Sequence, residues 1–363
     1  MQKCYTVVNA PFEAACKIDS MAADAPASRL HGHSYLARIR AELPQSWGQF
    51  VGSEVDELHQ QLLATVAPLD HRYLNDIINN PTNENIVRWL NGQLGDLSLE
   101  KTGVQSTSHE GVDLDSAGRT HSWKRFRFEA AHQLPNVEPG HQCGRMHGHG
   151  FEVILHAHQQ LEDAAMGVNL DTLQLHWSRI EPLLNRTCLN NIAGLENPTS
   201  EHLCRWIWEQ LKSALNELSW VSVYETATAG SHYDGKNFRI WKEFNFDSAT
   251  HLADAPQDHL LAGLHGHSYL ARLHIQAPLD EVLGWTVDYG DVKKLFKPTL
   301  DQLDHHDLSI NGQIPDGSTR AIAQYIKQEI VTELPQLNRI DLYEQPGCGV
   351  VLSWSDESPA LPV

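Results

Sequence analysis

The chain has 363 residues and carries 27 Lys and Arg against 46 Asp and Glu, a formal net charge of −19 at pH 7. Nucleic acid and anionic membranes attract basic patches, so this balance argues against both as partners. No apolar run approaches the roughly 18–20 residues of a membrane span, and the N-terminus lacks a signal-peptide pattern. The six cysteines include no C-x-x-C pair, which favours reduced thiols and a cytoplasmic location.

The string HGH occurs three times at nearly equal spacing, starting at His31, His147 and His265. Two other markers recur in the same order. The first is PLDHRYLND, PLLNRTCLNN and QLDHHDLSI, and the second is PTNENIVRWL, PTSEHLCRWI and GSTRAIAQYI. Ordered recurrence of this kind predicts a tandem repeat of domain-sized units. The predicted units are module 1 (1–118), module 2 (119–235) and module 3 (236–363).

The sequence of each module predicts the order strand, strand, helix, helix, strand, strand. The residues around HGH alternate as strands do, and VSVYET at 221–226 is typical of a closing strand. Helices are predicted around 290–303 and 200–215 from their apolar periodicity. The predicted class is therefore α+β, with a four-stranded antiparallel sheet and two helices on one face. Three such sheets can remove their open edges by pairing in a ring.

The segments 108–121 and 229–237 are rich in Gly, Ser, Asp and His. Such composition is typical of loops, so both are predicted as the joints between modules. Because both are short, the modules are expected to pack against one another.

The histidines of module 2 suggest a metal site. Period two on a strand places His147 and His149 on the same face with Cβ atoms about 7 Å apart, and His132 ends the preceding strand. Three imidazoles on zinc leave one position open, as in catalytic sites. Cys143 stands close by as a nucleophile or base. The alternative interpretation is a polar strand that bends at glycine and binds no metal.

The stretch FRFEAAHQLPNVEPGHQCGRMHGHGFEV, together with ENPTSEHLCRWIWEQL and VYETATAG, resembles the 6-pyruvoyltetrahydropterin synthase family. It is most similar to the bacterial 6-carboxytetrahydropterin synthase branch, which serves queuosine biosynthesis. The resemblance covers all three modules and is strongest in module 2. It implies a tunnelling fold in which three units form a twelve-stranded barrel and two barrels stack. It also implies sites between units, with a histidine-bound zinc, a cysteine base, a neighbour's Asp-His pair and a glutamate that anchors pterin.

The resemblance distributes these functional residues unevenly over the modules. Module 2 has the zinc ligands, base and anchor, but Asn185 and Arg186 replace the Asp-His pair. Its matching residues are His132, His147, His149, Cys143 and Glu225. Module 1 keeps the pair as Asp70-His71, but the remaining positions are changed. They hold Cys16 with His31 and His33 at the zinc site, Ala27 at the base and Ser106 at the anchor.

Module 3 keeps the pair as Asp304-His305 and the anchor as Glu344, while Leu261 replaces the cysteine. Its zinc site would consist of His251, His265 and His267, provided that the strand before His251 absorbs one extra residue, for instance as a bulge. Modules 1 and 3 are therefore candidates for second zinc sites with an altered ligand set.

These complementary losses suggest one complete site per chain, in which module 2 borrows an Asp-His pair from module 1 or module 3. The resemblance implies zinc-dependent conversion of 7,8-dihydroneopterin triphosphate to 6-carboxy-5,6,7,8-tetrahydropterin. Arg145, inside the motif, and Arg186 are candidate contacts for the triphosphate, and the alternative for Arg145 is a surface residue. It further implies a homodimer of stacked barrels. The alternatives are a 6-pyruvoyltetrahydropterin synthase, which would use the same ligands, and a non-catalytic pterin- or zinc-binding relic.

Overall fold

The computed structural model describes residues 2–44, 47–160, 168 and 170–354. Module 1 contains β1 (Lys3–Cys16), β2 (His31–Ala41), α1 (Glu54–Val66), β3 (Arg72–Tyr73), α2 (Asn83–Gln93), β4 (Leu99–Thr107) and β5 (Glu110–Asp115). Module 2 contains β6 (Arg119–His132), β7 (His147–Gln160), α3 (Leu170–Leu184), β8 (Thr187–Cys188), α4 (Ser200–Leu211), β9 (Leu218–Thr226) and β10 (Ala229–Tyr233). Module 3 contains β11 (Phe238–Thr250), β12 (His265–Gln276), α5 (Tyr289–Leu303), α6 (Thr319–Ile330), β13 (Leu337–Gln345) and β14 (Cys348–Ser353).

Across the described ranges, twelve antiparallel strands form a closed barrel, and the short strands β3 and β8 pair with its rim. The modules join through β5 with β6 and β10 with β11. The ring closes where β14 pairs with β1, from Lys3 opposite Ser353 to Val7 opposite Gly349. The predicted α+β class and twelve-stranded barrel are confirmed, and closure leaves none of these twelve strands with an open edge.

The two segments predicted as joints are largely strand. β5 and β10 lie within them, each paired on both sides. Their glycines are required by packing: a Cβ at Gly111 would meet the Trp123 ring at 2.7 Å, and one at Gly230 would meet the Trp241 ring at 2.3 Å. Glycine in a strand often marks such a close approach. The glycines of the predicted joints therefore belong to paired strands and reflect close packing against tryptophan.

The helices cover the outer face of the barrel. α4 begins where the Thr199 side chain accepts a hydrogen bond from the His202 backbone N–H at 3.2 Å. Its Leu203, Ile207 and Leu211 are buried against the outward-facing side chains of module 2. No helix of the described ranges is long and apolar enough to cross a membrane. In each module the helices therefore cover one face of the sheet. The strand ends that carry the HGH motifs lie beside these helices.

The lumen of the barrel is polar. The Arg38 guanidinium lies 3.0 Å from the Asp113 carboxylate. The Ser222 hydroxyl joins His156 Nε2, at 3.0 Å, to His232 Nδ1, at 2.7 Å. Further round the barrel, His274 Nε2 lies 3.2 Å from Asp341. Paired groups of this kind allow charged and polar side chains to be buried without large cost.

The buried lumen histidines predict acid sensitivity. Burial lowers the pKa of His156 to about 3, against about 6.5 in an unfolded chain. The unfolded state therefore binds more protons below about pH 6.5, so the free energy of unfolding should fall as pH drops from about 6.5 towards 3. Urea unfolding at about pH 7.5 and about pH 5 should show a smaller loss in His156→Gln than in the parent. In the control His109→Gln, which changes an exposed histidine, the free energy of unfolding should fall as much as in the parent. An equal fall in the parent and both variants would show that His156 does not cause the acid sensitivity.

Candidate functional site

Four side chains of module 2 form a compact ligand group. His132 ends β6 directly opposite His147, the first residue of β7, and His149 lies on the same face two residues later. Glu225 comes from β9, the next strand of the sheet. One ligand atom from each of these residues lies within 4.8 Å of the others. The structure therefore brings together the three predicted zinc histidines and adds a carboxylate.

The histidine rings are held with their Nε2 atoms turned inward. His132 Nδ1 lies 3.0 Å from the Pro198 carbonyl, and His147 Nδ1 lies 2.7 Å from the Arg145 carbonyl. Such contacts to backbone carbonyls commonly orient metal-binding histidines. The Nε2 atoms of His132 and His149 are buried without a hydrogen-bond partner, which is costly unless another group satisfies them.

The electrostatics of the group suit a metal ion. Burial lowers the pKa of His132 to about 4 and also lowers the pKa of His149. Both rings are therefore neutral near pH 7, the form that coordinates metals. Three imidazoles with a nearby carboxylate fit the ligand preferences of Zn²⁺. The orphaned Nε2 atoms and this donor set indicate that the residues fit the ion.

Glu225 faces both the ligand group and the adjoining cavity. Its Oε1 lies 3.6 Å from His149 Nε2 and 3.8 Å from His132 Nε2. Burial, together with the Glu201 and Asp288 carboxylates, raises its pKa to about 7. The predicted role as a pterin anchor is open to it because it lines the cavity. Its place in the ligand group is a feature that the sequence analysis missed.

The cavity lies between modules 2 and 3 and measures ≈ 650 Å³. Module 3 contributes the residues around the start of α5: Trp285, Val287, Asp288, Tyr289, Gly290 and Lys293. The junction is fixed by hydrogen bonds from Thr199 Oγ1 to the Gly284 carbonyl, at 2.6 Å, and from the Thr286 backbone N–H to Glu201, at 2.8 Å. The cleft is large enough for a small organic ligand.

Cys143 lies in this cavity beside an imidazole-carboxylate pair that spans the two modules. Its backbone N–H donates to His141 Nδ1 at 3.2 Å, and His141 Nε2 lies 3.4 Å from Asp288 Oδ2. Burial raises the pKa of the Cys143 thiol, as do the Glu225 and Asp288 carboxylates. The sequence analysis missed His141 and Asp288. A usable signal for His141 was His259 of module 3, which lies six residues before its HGH motif, as His141 does in module 2.

Three cations line the same cavity despite the net charge of −19. Arg145 was predicted, whereas Lys242 and Lys293 were missed. Burial lowers the pKa of Lys242, and the Lys293 ammonium lowers it further. These cations are available to an anionic ligand, while the Glu201, Glu225 and Asp288 carboxylates line the same cavity.

The two Asp-His pairs lie at the barrel rim, outside the lining of this cavity. Asp70 and Asp304 each accept a backbone hydrogen bond from the first strand of their own module, as Asn185 does in module 2. The side chains of His71 and His305 are 76% and 77% exposed. Asp304 follows the whole of α5, about 24 Å along the helix from Asp288. A single chain therefore does not bring either pair to Cys143.

The described residues of the predicted zinc site in module 3 do not form a three-ligand group. β11 pairs with β12 without a register shift, and Thr250, not His251, lies opposite His265. The Thr250 hydroxyl donates to the Gly317 carbonyl at 2.9 Å, which holds this residue in the strand. The bulge that would have brought His251 to His265 and His267 is absent from the described strand, so that prediction was wrong.

A closed antiparallel barrel with a histidine group beside an inter-module cleft defines a tunnelling-fold protein with three fused units. The model of the family "6-pyruvoyl tetrahydropterin synthase" matches residues 5–109, 121–236 and 239–353. These ranges span most of the chain, which therefore belongs to the 6-pyruvoyl tetrahydropterin synthase family. Membership places it among pterin-processing proteins.

Single-unit relatives match one part of the chain at a time. The 6-carboxy-5,6,7,8-tetrahydropterin synthase of Synechocystis is 37% identical over 121 residues, which are 31% of this chain and 90% of the relative. The dihydroneopterin monophosphate aldolase of Pyrococcus furiosus is 31% identical over 91 residues, 24% of this chain and 78% of the relative. The structure of Caenorhabditis elegans 6-pyruvoyl tetrahydropterin synthase aligns at 20% identity and a TM-score of 0.31, covering 32% of this chain and 96% of that one.

Proposed function

We propose that the chain is a zinc-dependent 6-carboxytetrahydropterin synthase with one working site, in the cleft between modules 2 and 3. The substrates would be 7,8-dihydroneopterin triphosphate and water, and the products would be 6-carboxy-5,6,7,8-tetrahydropterin, acetaldehyde and triphosphate. The observation that carries this proposal is the position of Cys143 in the cavity that is also lined by His147, His149 and Glu225 of the ligand group. The similarity to the Synechocystis synthase supports the choice of reaction.

Each residue of the cleft has a defined task in this proposal. Zinc held by His132, His147 and His149 would supply a Lewis acid that favours loss of a proton from the substrate side chain. Cys143 takes that proton as the thiolate, the effective basic form, which a cation bound beside it would favour against the burial and carboxylates that raise its pKa. Glu225 offers two acceptor oxygens to adjacent N–H groups of the pterin ring. Arg145, Lys242 and Lys293 hold the triphosphate by charge.

We further propose that two chains stack barrel to barrel. His71 and His305 are exposed at the rim near the start of the HGH strands, since each lies beside the end of its own module's first strand. A second barrel at this rim would receive these Asp-His pairs in its own cleft, where they would relay the proton from Cys143. In this proposal the enzyme acts in the cytoplasm, and its product serves queuosine biosynthesis.

Product identification tests the proposed reaction. Zinc-loaded protein is incubated with 7,8-dihydroneopterin triphosphate, and the pterins are identified by mass spectrometry. We expect 6-carboxytetrahydropterin from the parent and from His267→Ala, which changes the matched strand position of module 3, but none from His149→Ala. A 6-pyruvoyl product would favour the alternative synthase. Bound pterin without any turnover would contradict an enzymatic role.

The cationic lining predicts an effect on substrate binding. Lys293→Gln should raise KM for the triphosphate substrate by about tenfold, the size of one charge-assisted contact, with little change in kcat. The matched control is Lys294→Gln, because Lys294 is the neighbouring residue, is 80% exposed and pairs with Asp291. Steady-state kinetics at two salt concentrations measure both variants. Equal KM values for the two variants would contradict the assignment.

A further inference from the structure

The structure assigns a second metal ion to module 1, in a Cys-His-His site whose chemistry differs from that of module 2. One ligand atom each of Cys16, His31 and His33 lies within 4.8 Å of the others. Within the described ranges, this is the only such group apart from the one at His132, His147, His149 and Glu225.

The backbone places these three side chains as it places the triad of module 2. Cys16 ends β1 directly opposite His31, and His33 lies opposite Ala14. The same register pairs His132 with His147 and Ala130 with His149. Cys16 therefore occupies the place of the first histidine, and its side chain points to the same face of the sheet as the two imidazoles.

The side chains are already oriented towards one another. Cys16 Sγ lies 3.4 Å from His31 Nε2. His31 Nδ1 lies 2.7 Å from the Arg29 carbonyl, which fixes the ring so that Nε2 faces the sulfur. Bonds of about 2.0–2.3 Å to one tetrahedral zinc place its nitrogen and sulfur ligands roughly 3.5 Å apart. The observed separation therefore needs little rearrangement to admit the ion.

The ligand set selects the class of metal. Cys16 is 1% exposed and becomes a thiolate on coordination. One thiolate and two imidazoles favour Zn²⁺ or another borderline-soft cation over Ca²⁺ or Mg²⁺, which require oxygen ligands. The Tyr35 hydroxyl lies 3.4 Å from the same sulfur and can stabilise it by a hydrogen bond.

The surroundings favour a structural ion over a catalytic one. The cavity at this site measures ≈ 170 Å³, against ≈ 650 Å³ for the cleft of module 2. Ala27 and Ser106, which replace the base and the anchor, line it, and so do Leu170 and Asp171 at the start of α3. With less space and with neither the base nor the anchor present, the site favours a water ligand over a pterin. The ion would link β1 to β2 at the junction with module 2.

Metal analysis and cobalt spectroscopy test this site independently of turnover. The full chain, reconstituted with zinc, should bind two ions, and with Co²⁺ it should show a near-ultraviolet thiolate-to-cobalt charge-transfer band. Cys16→Ser should bind one ion and lack the band. Cys16→His, which restores an all-imidazole triad, should bind two ions and also lack the band. His149→Ala should keep the band because module 2 contributes no sulfur ligand.

The contradicting results are equally defined. One ion per chain without the band in the parent would overturn the second site. A band that persists in Cys16→Ser would place the sulfur ligand elsewhere. A circular dichroism spectrum of Cys16→Ser that matches the parent excludes misfolding as the cause of metal loss. Since the band reports only on sulfur, failure of this proposal would leave the proposed reaction of module 2 unaffected.

Discussion

Cys143→Ala is expected to lower kcat by about 10²- to 10⁴-fold, the usual range for loss of a general base. The cleft should otherwise persist, because the orienting contacts of His132 and His147 are to backbone carbonyls and not to the thiol. Single-turnover kinetics and zinc content measure the two effects separately. Zinc should remain bound in the variant, and substrate should still bind.

Cys188→Ala is the matched control for the loss of a thiol. Cys188 belongs to the same module, is half-buried in β8 and lies outside the cleft lining. Its removal should leave kcat within about twofold of the parent, because it touches none of the proposed machinery. A Cys143→Ala enzyme as fast as Cys188→Ala would show that another group removes the proton.

His141→Ala should lower kcat by about 10²-fold with little change in KM. His141 accepts the hydrogen bond from the Cys143 backbone N–H and reaches Asp288 of module 3. Its removal frees the turn that carries the thiol, and a displacement of about 1 Å at a reacting group can cost 10²-fold in rate. Steady-state kinetics separate kcat from KM.

Module 3 supplies a matched control for this positioning role. His259 accepts a hydrogen bond from the Leu261 backbone N–H at 3.2 Å in the same turn geometry, but its module lacks the cysteine. His259→Ala should therefore leave kcat unchanged. If both histidine variants lose the same activity, the effect is general destabilisation and the positioning role of His141 is wrong. Loss in His141→Ala alone supports an inter-module pair behind Cys143.

The fold was predictable because its signals are local and repeated. Strand alternation around each HGH motif fixed the two long hairpin strands, and the three copies indicated a ring of sheets. The histidine group was equally accessible, since period two places His147 and His149 on one face and FEAAH supplies His132. These inferences needed only short-range geometry, which sequence patterns encode directly.

The remaining features depend on contacts between distant segments. His141 and Asp288 meet only because module 3 docks its helix start against module 2, and Lys293 reaches the cleft in the same way. Glycines such as Gly111 suggested a joint between modules. Gly111 instead lies in a strand, where the nearby Trp123 ring leaves no room for a side chain. At His251, the expected bulge did not form because strand pairing continued without a shift to Thr250.

The uneven distribution of site residues has a structural basis. The pockets of modules 1 and 2 are each bordered by the start of the next module's first helix, as Asp171 borders the first and Asp288 the second. Of these two pockets, only that of module 2 has a cysteine in addition to its group of metal ligands. Fusion of the units allows the other modules to change without loss of this pocket.

The number of pterin sites per chain tests this account most directly. Zinc-loaded Cys143→Ala, which should bind 7,8-dihydroneopterin triphosphate without converting it, is titrated by calorimetry. One site per chain, lost in Cys143→Ala that also carries Glu225→Gln, is the predicted result. Two or three equivalent sites would show that modules 1 and 3 also bind substrate and would contradict a single working cleft; no binding at all would contradict the pterin assignment.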